Sequence, residues 1–239
     1  MPFKDGDFVL VEYSLRLRDT GQLVDTTSEE EARKEGMYEE DRIYGPQLIV
    51  IGEGRVIPGL EEAIRGMNVG EEREVEIPPE KGYGARDPTK VKTYSLKQFM
   101  RHGIYPEIGK IVEINGQVGR IVAVESGRVK VDFNHPLAGR TLVAKIKIVK
   151  KLEDDAEKIK YLAARRFNTK PEFIEVETKP QEGIVRIKMR PQAALRATPS
   201  AKLVLLDEIR RYIVWPKRVE FIETFEYREA GMQESSEKR

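Results

Sequence analysis

Residues 58–67 read Pro58-Gly59-Leu60-Glu61-Glu62-Ala63-Ile64-Arg65-Gly66-Met67, and their spacing predicts a short amphipathic helix. The apolar side chains at positions 60, 63, 64 and 67 share one helical face, because about 3.6 residues make one turn. Glu61 and Glu62 lie in the first turn, where the helix dipole favours negative charge. We therefore expect one helix with a single apolar face, ending at Asn68-Val69-Gly70.

Strands are predicted on both sides of this helix. Before it, apolar residues alternate from Phe8 to Leu17, a turn leads to a short strand at 23–25, and 47–51 form a continuous apolar strand. After it, residues 71–77 alternate again. A period of two is typical of a half-buried strand. The pattern predicts a strand-rich region with one helix lying across a curved sheet.

Residues 88–133 have the pattern of a separate inserted module. A short helix at 95–102 precedes three strands at 111–114, 118–124 and 129–133. Asn115-Gly116 and Ser126-Gly127 separate these strands, and both dipeptides favour tight hairpin turns. The alternating run 142–148 follows and is expected to close the first sheet. The first domain is therefore predicted to be interrupted.

A third module is predicted after residue 152. A charged helix to about Phe167, strands at 172–178 and 184–189, and a helix at 200–214 follow in order. A last strand is expected to place Val219, Phe221, Phe225 and Tyr227 on one face. This pattern favours a small α+β domain.

Composition bounds the function. The chain has 239 residues, and 42 Lys and Arg against 41 Asp and Glu leave a formal net charge of +1. This balance does not favour nucleic-acid binding, which needs surplus cations. RNA association through the basic run 145–151 stays open as a hypothesis, although the alternation of residues there favours a solvated strand face. Neither metal binding nor a membrane partner is expected, since the chain has no Cys, two His and no apolar run of about 18 residues. A cytoplasmic location is expected.

Several motifs follow one another in a distinctive order. They are Tyr13, Leu23-Val24-Asp25, Val56-Ile57-Pro58-Gly59-Leu60-Glu61, Pro78-Pro79-Glu80-Lys81-Gly82-Tyr83-Gly84 and Asn134-His135-Pro136-Leu137-Ala138-Gly139. In this order they resemble the FKBP-type peptidyl-prolyl cis–trans isomerases. The resemblance is to the SlyD-like group with an insert-in-flap domain, and within it to the long archaeal form. It covers residues 4–150 by motif and the remainder by general layout only.

The resemblance implies an α+β fold with an antiparallel half-barrel wrapped on the helix that starts at Pro58. The inserted domain is then small and β-rich, and a C-terminal α+β domain follows. The implied division is an isomerase domain at 1–87 and 134–152, an insert-in-flap chaperone domain at 88–133, a C-terminal domain at 153–229 and a flexible tail at 230–239.

The resemblance also implies a prolyl pocket between the sheet and the helix. The implied catalytic residues are Asp25, Tyr83, Ile57 and Tyr13, and the implied substrate-binding residues are Val24, Ile49, Val56 and Leu60. No cofactor is implied. Two alternatives stay open: Tyr13, Val56, Ile57 and Leu60 are equally compatible with a plain core, and Asp25 with a turn cap. Where several family members carry aromatic residues, this chain aligns Val24, Gln47, Leu60 and Ala144, which puts macrolide binding in doubt.

The insert is expected to bind unfolded or partly folded, proline-containing polypeptides. The candidate chaperone patch consists of Leu96, Phe99, Met100, Ile104 and Tyr105, since Met and aromatic side chains suit varied partners. The alternative is that these residues form the insert's own core. A noncatalytic holdase on the same scaffold is the alternative to the isomerase. The last predicted strand leaves a homodimer through the C-terminal domain open.

Overall fold

A computed structural model describes residues 3–225, and they fold as two compact units. The first unit comprises residue 3, Tyr13–Thr26 and Gly54–Lys147. The second comprises Lys4–Glu12, Thr27–Glu53 and the described residues from Ile148 onward. The predicted flexible tail at 230–239 lies outside the described residues. The three-domain division stays a prediction.

Strands and helices alternate along the chain as an α+β protein. In chain order they are β1 (Phe8–Leu17), β2 (Leu23–Thr26), α1 (Glu29–Lys34), β3 (Gln47–Val50), α2 (Pro58–Arg65), β4 (Glu72–Ile77), β5 (Val91–Ser95), α3 (Leu96–Arg101), β6 (Ile111–Ile114), β7 (Gln117–Glu125), β8 (Arg128–Asp132), β9 (Leu142–Leu152), α4 (Asp155–Arg166), β10 (Ile174–Lys179), β11 (Ile184–Met189), α5 (Pro191–Ala194), α6 (Pro199–Tyr212) and β12 (Arg218–Glu223). The α+β prediction is confirmed. Within residues 3–225, no helix combines the length and the apolar character needed to cross a bilayer.

The predicted helix of the first unit, α2, packs against a five-stranded sheet. Its order is β2-β1-β9-β4, with β3 paired to β1, and the pairings of β1 with β2 and β3 and of β4 with β9 are antiparallel. Helix α2 buries Leu60 and Ile64, as the spacing predicted. Gly59 allows close packing against β4, because a Cβ there would lie 2.5 Å from Ile77 Cγ2. A larger residue at this position would push the helix off the strand.

Strand β1 differs from the sequence-based expectation in its first half. The alternation predicted one buried face, yet Phe8 and Leu10 are buried together with Val9 and Val11. Phe8 and Leu10 belong to the hydrophobic core of the second unit, so this half of the strand is covered on both faces. Continuous burial is the pattern of a strand packed on two sides.

The insert forms a four-stranded sheet of order β5-β8-β7-β6 on which helix α3 lies. The two predicted hairpin turns are confirmed: Asn115, Gly116, Ser126 and Gly127 all have positive φ, as a two-residue turn between twisted strands requires. Strand β5 was not predicted. It pairs along its whole length with β8, from Val91 opposite Asp132 to Ser95 opposite Arg128.

The second unit packs its helices on a three-stranded sheet of order β10-β11-β12. Strands β10 and β11 are antiparallel, and β12 joins β11 in parallel. The expected last strand is too long, because β12 ends at Glu223 and Phe225, beyond it, is 50% exposed. Val219 and Phe221 do pack against the core, and Tyr227 lies outside the described residues.

Candidate active site

Tyr13 and Asp25 are joined by a hydrogen bond across two neighbouring strands. The Tyr13 hydroxyl donates to Asp25 Oδ2 at 2.8 Å. The pairing of Leu15 with Asp25 and of Ser14 with Thr26 makes Tyr13 a diagonal neighbour of Asp25 on the same face. Both side chains are half-buried. The carboxylate is therefore held in a fixed direction at the edge of the sheet and is not free in solvent.

Tyr83 lies in a glycine-flanked turn after a 3-10 turn at Pro79–Lys81. The Gly84 N–H donates to the Pro79 carbonyl at 2.8 Å, and Gly84 has φ +86°, a conformation that favours glycine. The Tyr83 ring is half-buried and stacks on His135, with 4.6 Å between centroids and 1° between planes. The turn thus presents a phenol whose ring has a defined plane.

Electrostatics link Tyr83 to Asp25. Burial raises the pKa of the Tyr83 phenol above its ordinary value, and the negative charge of Asp25 raises it further. A raised pKa keeps the hydroxyl protonated through the neutral range, so Tyr83 remains a hydrogen-bond donor.

The start of α2 holds three apolar residues of the predicted site. Ile57 is the N-cap residue, and its carbonyl accepts from the N–H groups of Leu60 at 3.0 Å and Glu61 at 3.2 Å. Its own N–H precedes the helix and lies outside the helical hydrogen-bond ladder. Val56 and Ile57 are half-buried, whereas Leu60 is fully buried.

Two further residues from the sequence-based set lie on strands of the sheet. Val24 is half-buried on β2, next to Asp25. Ile49 is buried on β3, paired with Val9, and belongs to the second unit. At Gln47, also on β3, the side-chain amide donates to the Ile43 carbonyl at 2.9 Å. The assigned roles of these residues stay predictions.

A hydrogen-bonded clasp closes the base of the insert beside this site. The Asn134 side chain accepts from Asp87 N–H and donates to the Asp87 carbonyl, both at 2.9 Å. Asp132 Oδ1 accepts from the backbone and side-chain N–H groups of Asn134 at 2.9 and 2.7 Å, and Asp132 also pairs with Arg86. The Asn134-His135 motif is visible in the sequence, but its spacing does not predict these hydrogen bonds to Asp87.

The predicted chaperone patch divides into core and surface. Phe99 is 5% exposed and belongs to the insert's core, with Leu96 and Ile104 packed against that core, so it fits the alternative of an insert core and not an exposed patch. Met100 and Tyr105 are exposed, at 46% and 67%. The sequence-based set missed three other exposed apolar side chains, Ile108, Ile111 and Val118.

A groove of about 630 Å³ runs along the base of the insert. Its walls include Ile111, Val118, Phe133 and His135, so the ring that stacks on Tyr83 is also part of the groove. Across residues 3–225, no group of three or more His, Cys, Asp or Glu side chains is arranged to hold a metal ion.

Comparison with known families identifies the family of the chain. Residues 2–99 match the sequence profile described as FKBP-type peptidyl-prolyl cis–trans isomerase, and residues 95–137 match the profile described as FKBP26, IF domain. The chain belongs to the FKBP-type peptidyl-prolyl cis–trans isomerases and has this enzymatic activity. Within that family it is a SlyD-like member with an inserted domain. Enzymes of this family act on proline-containing polypeptides.

Three relatives illustrate the relationship. A short-type peptidyl-prolyl cis–trans isomerase of Methanocaldococcus jannaschii is 40% identical over 145 residues, which are 61% of this chain and 91% of the relative. An FKBP-type 16 kDa peptidyl-prolyl cis–trans isomerase of Escherichia coli is 30% identical over a match that covers 59% of this chain and 88% of the relative. A SlyD of Treponema pallidum is 33% identical over a match that covers 62% of this chain and 78% of the relative.

Proposed function

We propose that isomerisation takes place where the start of α2 meets the Tyr13–Asp25 pair and Tyr83. The barrier to rotation about a peptide bond is about 18–20 kcal/mol, because the C–N bond has partial double-bond character. A twisted amide loses this conjugation, so its carbonyl is less polar than in the planar ground state. An apolar pocket therefore disfavours the planar form relative to the twisted one, and no covalent intermediate is needed.

Each residue has a proposed role in this site. Ile57 and Leu60 cradle the proline ring, while Val24 and Val56 shape the walls. The Ile57 N–H anchors the substrate chain, and Tyr83 donates its hydroxyl to a substrate carbonyl. Asp25, held by Tyr13, polarises the site around the rotating carbonyl. The observation that carries this proposal is the 2.8 Å hydrogen bond from Tyr13 to Asp25, which gives the carboxylate a defined direction.

Three variants test the proposed site. NMR exchange measures cis–trans interconversion of a proline tetrapeptide with wild type, Asp25→Ala and Tyr83→Phe. Both substitutions are expected to lower kcat/KM by about threefold to tenfold, the effect of losing one hydrogen bond. Asp19→Ala is the matched control, since Asp19 pairs with Arg140 on an exposed turn. Equal rates for all variants would remove the proposed roles of Asp25 and Tyr83.

We also propose that the insert holds unfolded or partly folded clients for the isomerase site. The support is the set of large apolar side chains that it exposes: Met100, Tyr105, Ile108, Ile111 and Val118. Exposed apolar groups of this density are characteristic of interaction surfaces. A nearby holding site raises the local concentration of proline segments at the pocket.

Suppression of client aggregation tests this holding role. The variant Tyr105→Ser/Ile108→Ser/Ile111→Ser is expected to lose most of the suppression while keeping wild-type tetrapeptide isomerisation. Leu203→Ser/Val204→Ser is the control, because both residues are exposed apolar side chains on α6 in the second unit. Unchanged suppression by the insert variant would contradict the proposal.

A homodimer through the C-terminal domain is a third proposal. Strand β12 pairs with β11 on one side and is an edge of its sheet, which is a natural site for pairing with another chain. Sedimentation equilibrium of wild type and Glu220→Pro, which blocks pairing along the edge, tests it. A wild-type monomer at all concentrations would contradict it.

A further inference from the structure

His135 makes two contacts that its role as a motif residue does not explain. Its ring lies parallel to Tyr83 at 4.6 Å, and its Nδ1 accepts a hydrogen bond from the Leu137 N–H at 3.1 Å. The side chain itself is exposed, so its burial contributes little to a core. Burial in a hydrophobic core therefore does not explain the stack of His135 on Tyr83.

The backbone of the turn holds Tyr83 in place but leaves the plane of its ring open. The N–H groups of Gly82 and Gly84 both donate to the Pro79 carbonyl, so the chain is hydrogen-bonded on either side of Tyr83. The terminal torsion of a tyrosine side chain, in contrast, is broad. A neighbouring ring restrains that torsion, and His135 is stacked flat against Tyr83. Offset parallel stacking is a favourable arrangement for two aromatic rings.

His135 is itself held by the turn that closes the insert. The preceding Asn134 is clasped to Asp87 by two hydrogen bonds. On the other side, the Gly139 N–H donates to the Gly84 carbonyl at 2.8 Å. These bonds tie the turn of His135 to the turn of Tyr83, so both rings share one rigid frame.

We propose that His135 is a positioning residue that fixes the plane of the Tyr83 ring and thereby aims its hydroxyl at the substrate carbonyl. The proposal rests on the function proposed above for Tyr83. His135 acts through its ring and not through a proton transfer. Because the turn of His135 is held by the Asn134–Asp87 hydrogen bonds, the geometry of the prolyl site then depends on these bonds as well.

Two substitutions distinguish the effect of the His135 ring from the effect of its hydrogen bond to Leu137. His135→Phe keeps a planar ring but loses the acceptor for Leu137 N–H. His135→Asn removes the ring but keeps a side-chain oxygen that can accept from the N–H two residues on, as asparagine does in turns. His102→Asn is the control, because His102 is the exposed C-cap residue of α3.

Tetrapeptide isomerisation by the full chain gives the readout. His135→Asn is expected to lower kcat by about threefold to tenfold with little change in KM, as expected for an aiming error in the transition state. His135→Phe and His102→Asn are expected to stay within about twofold of wild type. A slow His135→Phe with a normal His135→Asn would show that the turn matters and would overturn the ring's role.

A double-mutant cycle with Tyr83→Phe completes the test. If His135 acts through the Tyr83 hydroxyl, His135→Asn has little further effect once that hydroxyl is gone. Additive effects in the double variant would overturn the proposal. If Tyr83→Phe is slow and His135→Asn is normal, His135 has no positioning role while the function of Tyr83 stands. If Tyr83→Phe is as fast as wild type, the role of Tyr83 fails, and the positioning role fails with it.

Discussion

Tyr13 donates a hydrogen bond of 2.8 Å to Asp25, so the one carboxylate of the proposed site is oriented by a phenol on the neighbouring strand. A half-buried carboxylate is costly unless its oxygens are hydrogen-bonded. The hydrogen bond therefore satisfies one oxygen of the Asp25 carboxylate and gives the group a defined direction. Asp25 does not act as a freely moving surface group.

Removal of the Tyr13 hydroxyl is expected to slow isomerisation without unfolding the chain. Tyr13→Phe keeps the ring but removes this hydrogen bond to Asp25, and we expect kcat/KM on a tetrapeptide to fall by about threefold to tenfold. Tyr44→Phe is the control, because the Tyr44 hydroxyl accepts a hydrogen bond from Glu39 N–H in the second unit. Identical rates for Tyr13→Phe and Tyr44→Phe would show that this hydrogen bond does not matter for catalysis.

Two glycines at the ends of α2, Gly59 in its first turn and the C-cap residue Gly66, are expected to respond differently to alanine. In Gly59→Ala the new Cβ would lie 2.5 Å from Ile77 Cγ2, whereas at Gly66 the nearest atom is 3.7 Å away. Gly59→Ala is expected to lower the free energy of unfolding by about 1–3 kcal/mol through overpacking. Gly66→Ala is expected to change it by less than about 1 kcal/mol. Denaturant unfolding compares them, and equal midpoints would mean that α2 does not pack closely on β4.

Acid is expected to loosen the base of the insert through Asp132. Burial alone would raise the pKa of Asp132, but hydrogen bonds from Asn134 and the positive charge of Arg86 outweigh it and hold the pKa below its ordinary value. The stabilisation is therefore complete above the unfolded pKa, about 3.9, and is lost as the pH falls through the lower folded pKa.

Hydrogen exchange can follow this loss. Protection of β5 and β8 amides, corrected for intrinsic exchange, is expected to fall below about pH 4 in wild type. In Asp132→Asn it is expected to be lower at neutral pH and to change less with acid. Asp19→Asn serves as control, because the Asp19–Arg140 pair is exposed and lies outside the insert. A wild-type acid response that persists in Asp132→Asn would assign it to other groups.

Glu208 is expected to be important for the second unit. Its side chain is 6% exposed and pairs with Arg165 and Arg166, and Arg165 also binds Glu53. Glu208→Gln removes one charge from a buried cluster and is expected to cost about 3 kcal/mol of unfolding free energy. Glu177→Gln breaks an exposed pair with Lys188 and is expected to cost less than about 1 kcal/mol. Similar losses for the two variants would contradict a buried role for Glu208.

Local patterns predicted most of the secondary structure. The spacing in residues 58–67 fixed α2, and the positive-φ dipeptides fixed the hairpins of the insert. These features depend on neighbours in sequence, so short windows contain the necessary information. Short windows of their own sequence likewise predicted α4 and β9.

Long-range pairing accounts for what was missed. Strand β5 is short and is stabilised by β8, more than 30 residues further on, so its own five residues gave a weak signal. The apolar residues between 96 and 105 fit both a surface patch and the insert's own core, and the packing of distant strands decides that Phe99 lies in the core. The stack of Tyr83 on His135 joins residues on either side of the insert, and neither motif contains the other partner.

The most direct measurement compares two substrates with and without the insert. Tetrapeptide exchange and the proline-limited refolding of a protein are followed for wild type and for a variant with residues 89–133 replaced by a short loop, which keeps Asp87 and Asn134. If the insert holds clients for the prolyl site, the tetrapeptide rate stays within about twofold, and the protein rate falls by at least about tenfold, the loss expected on removing a tethered binding site. A variant that catalyses protein refolding as fast as wild type would contradict the account.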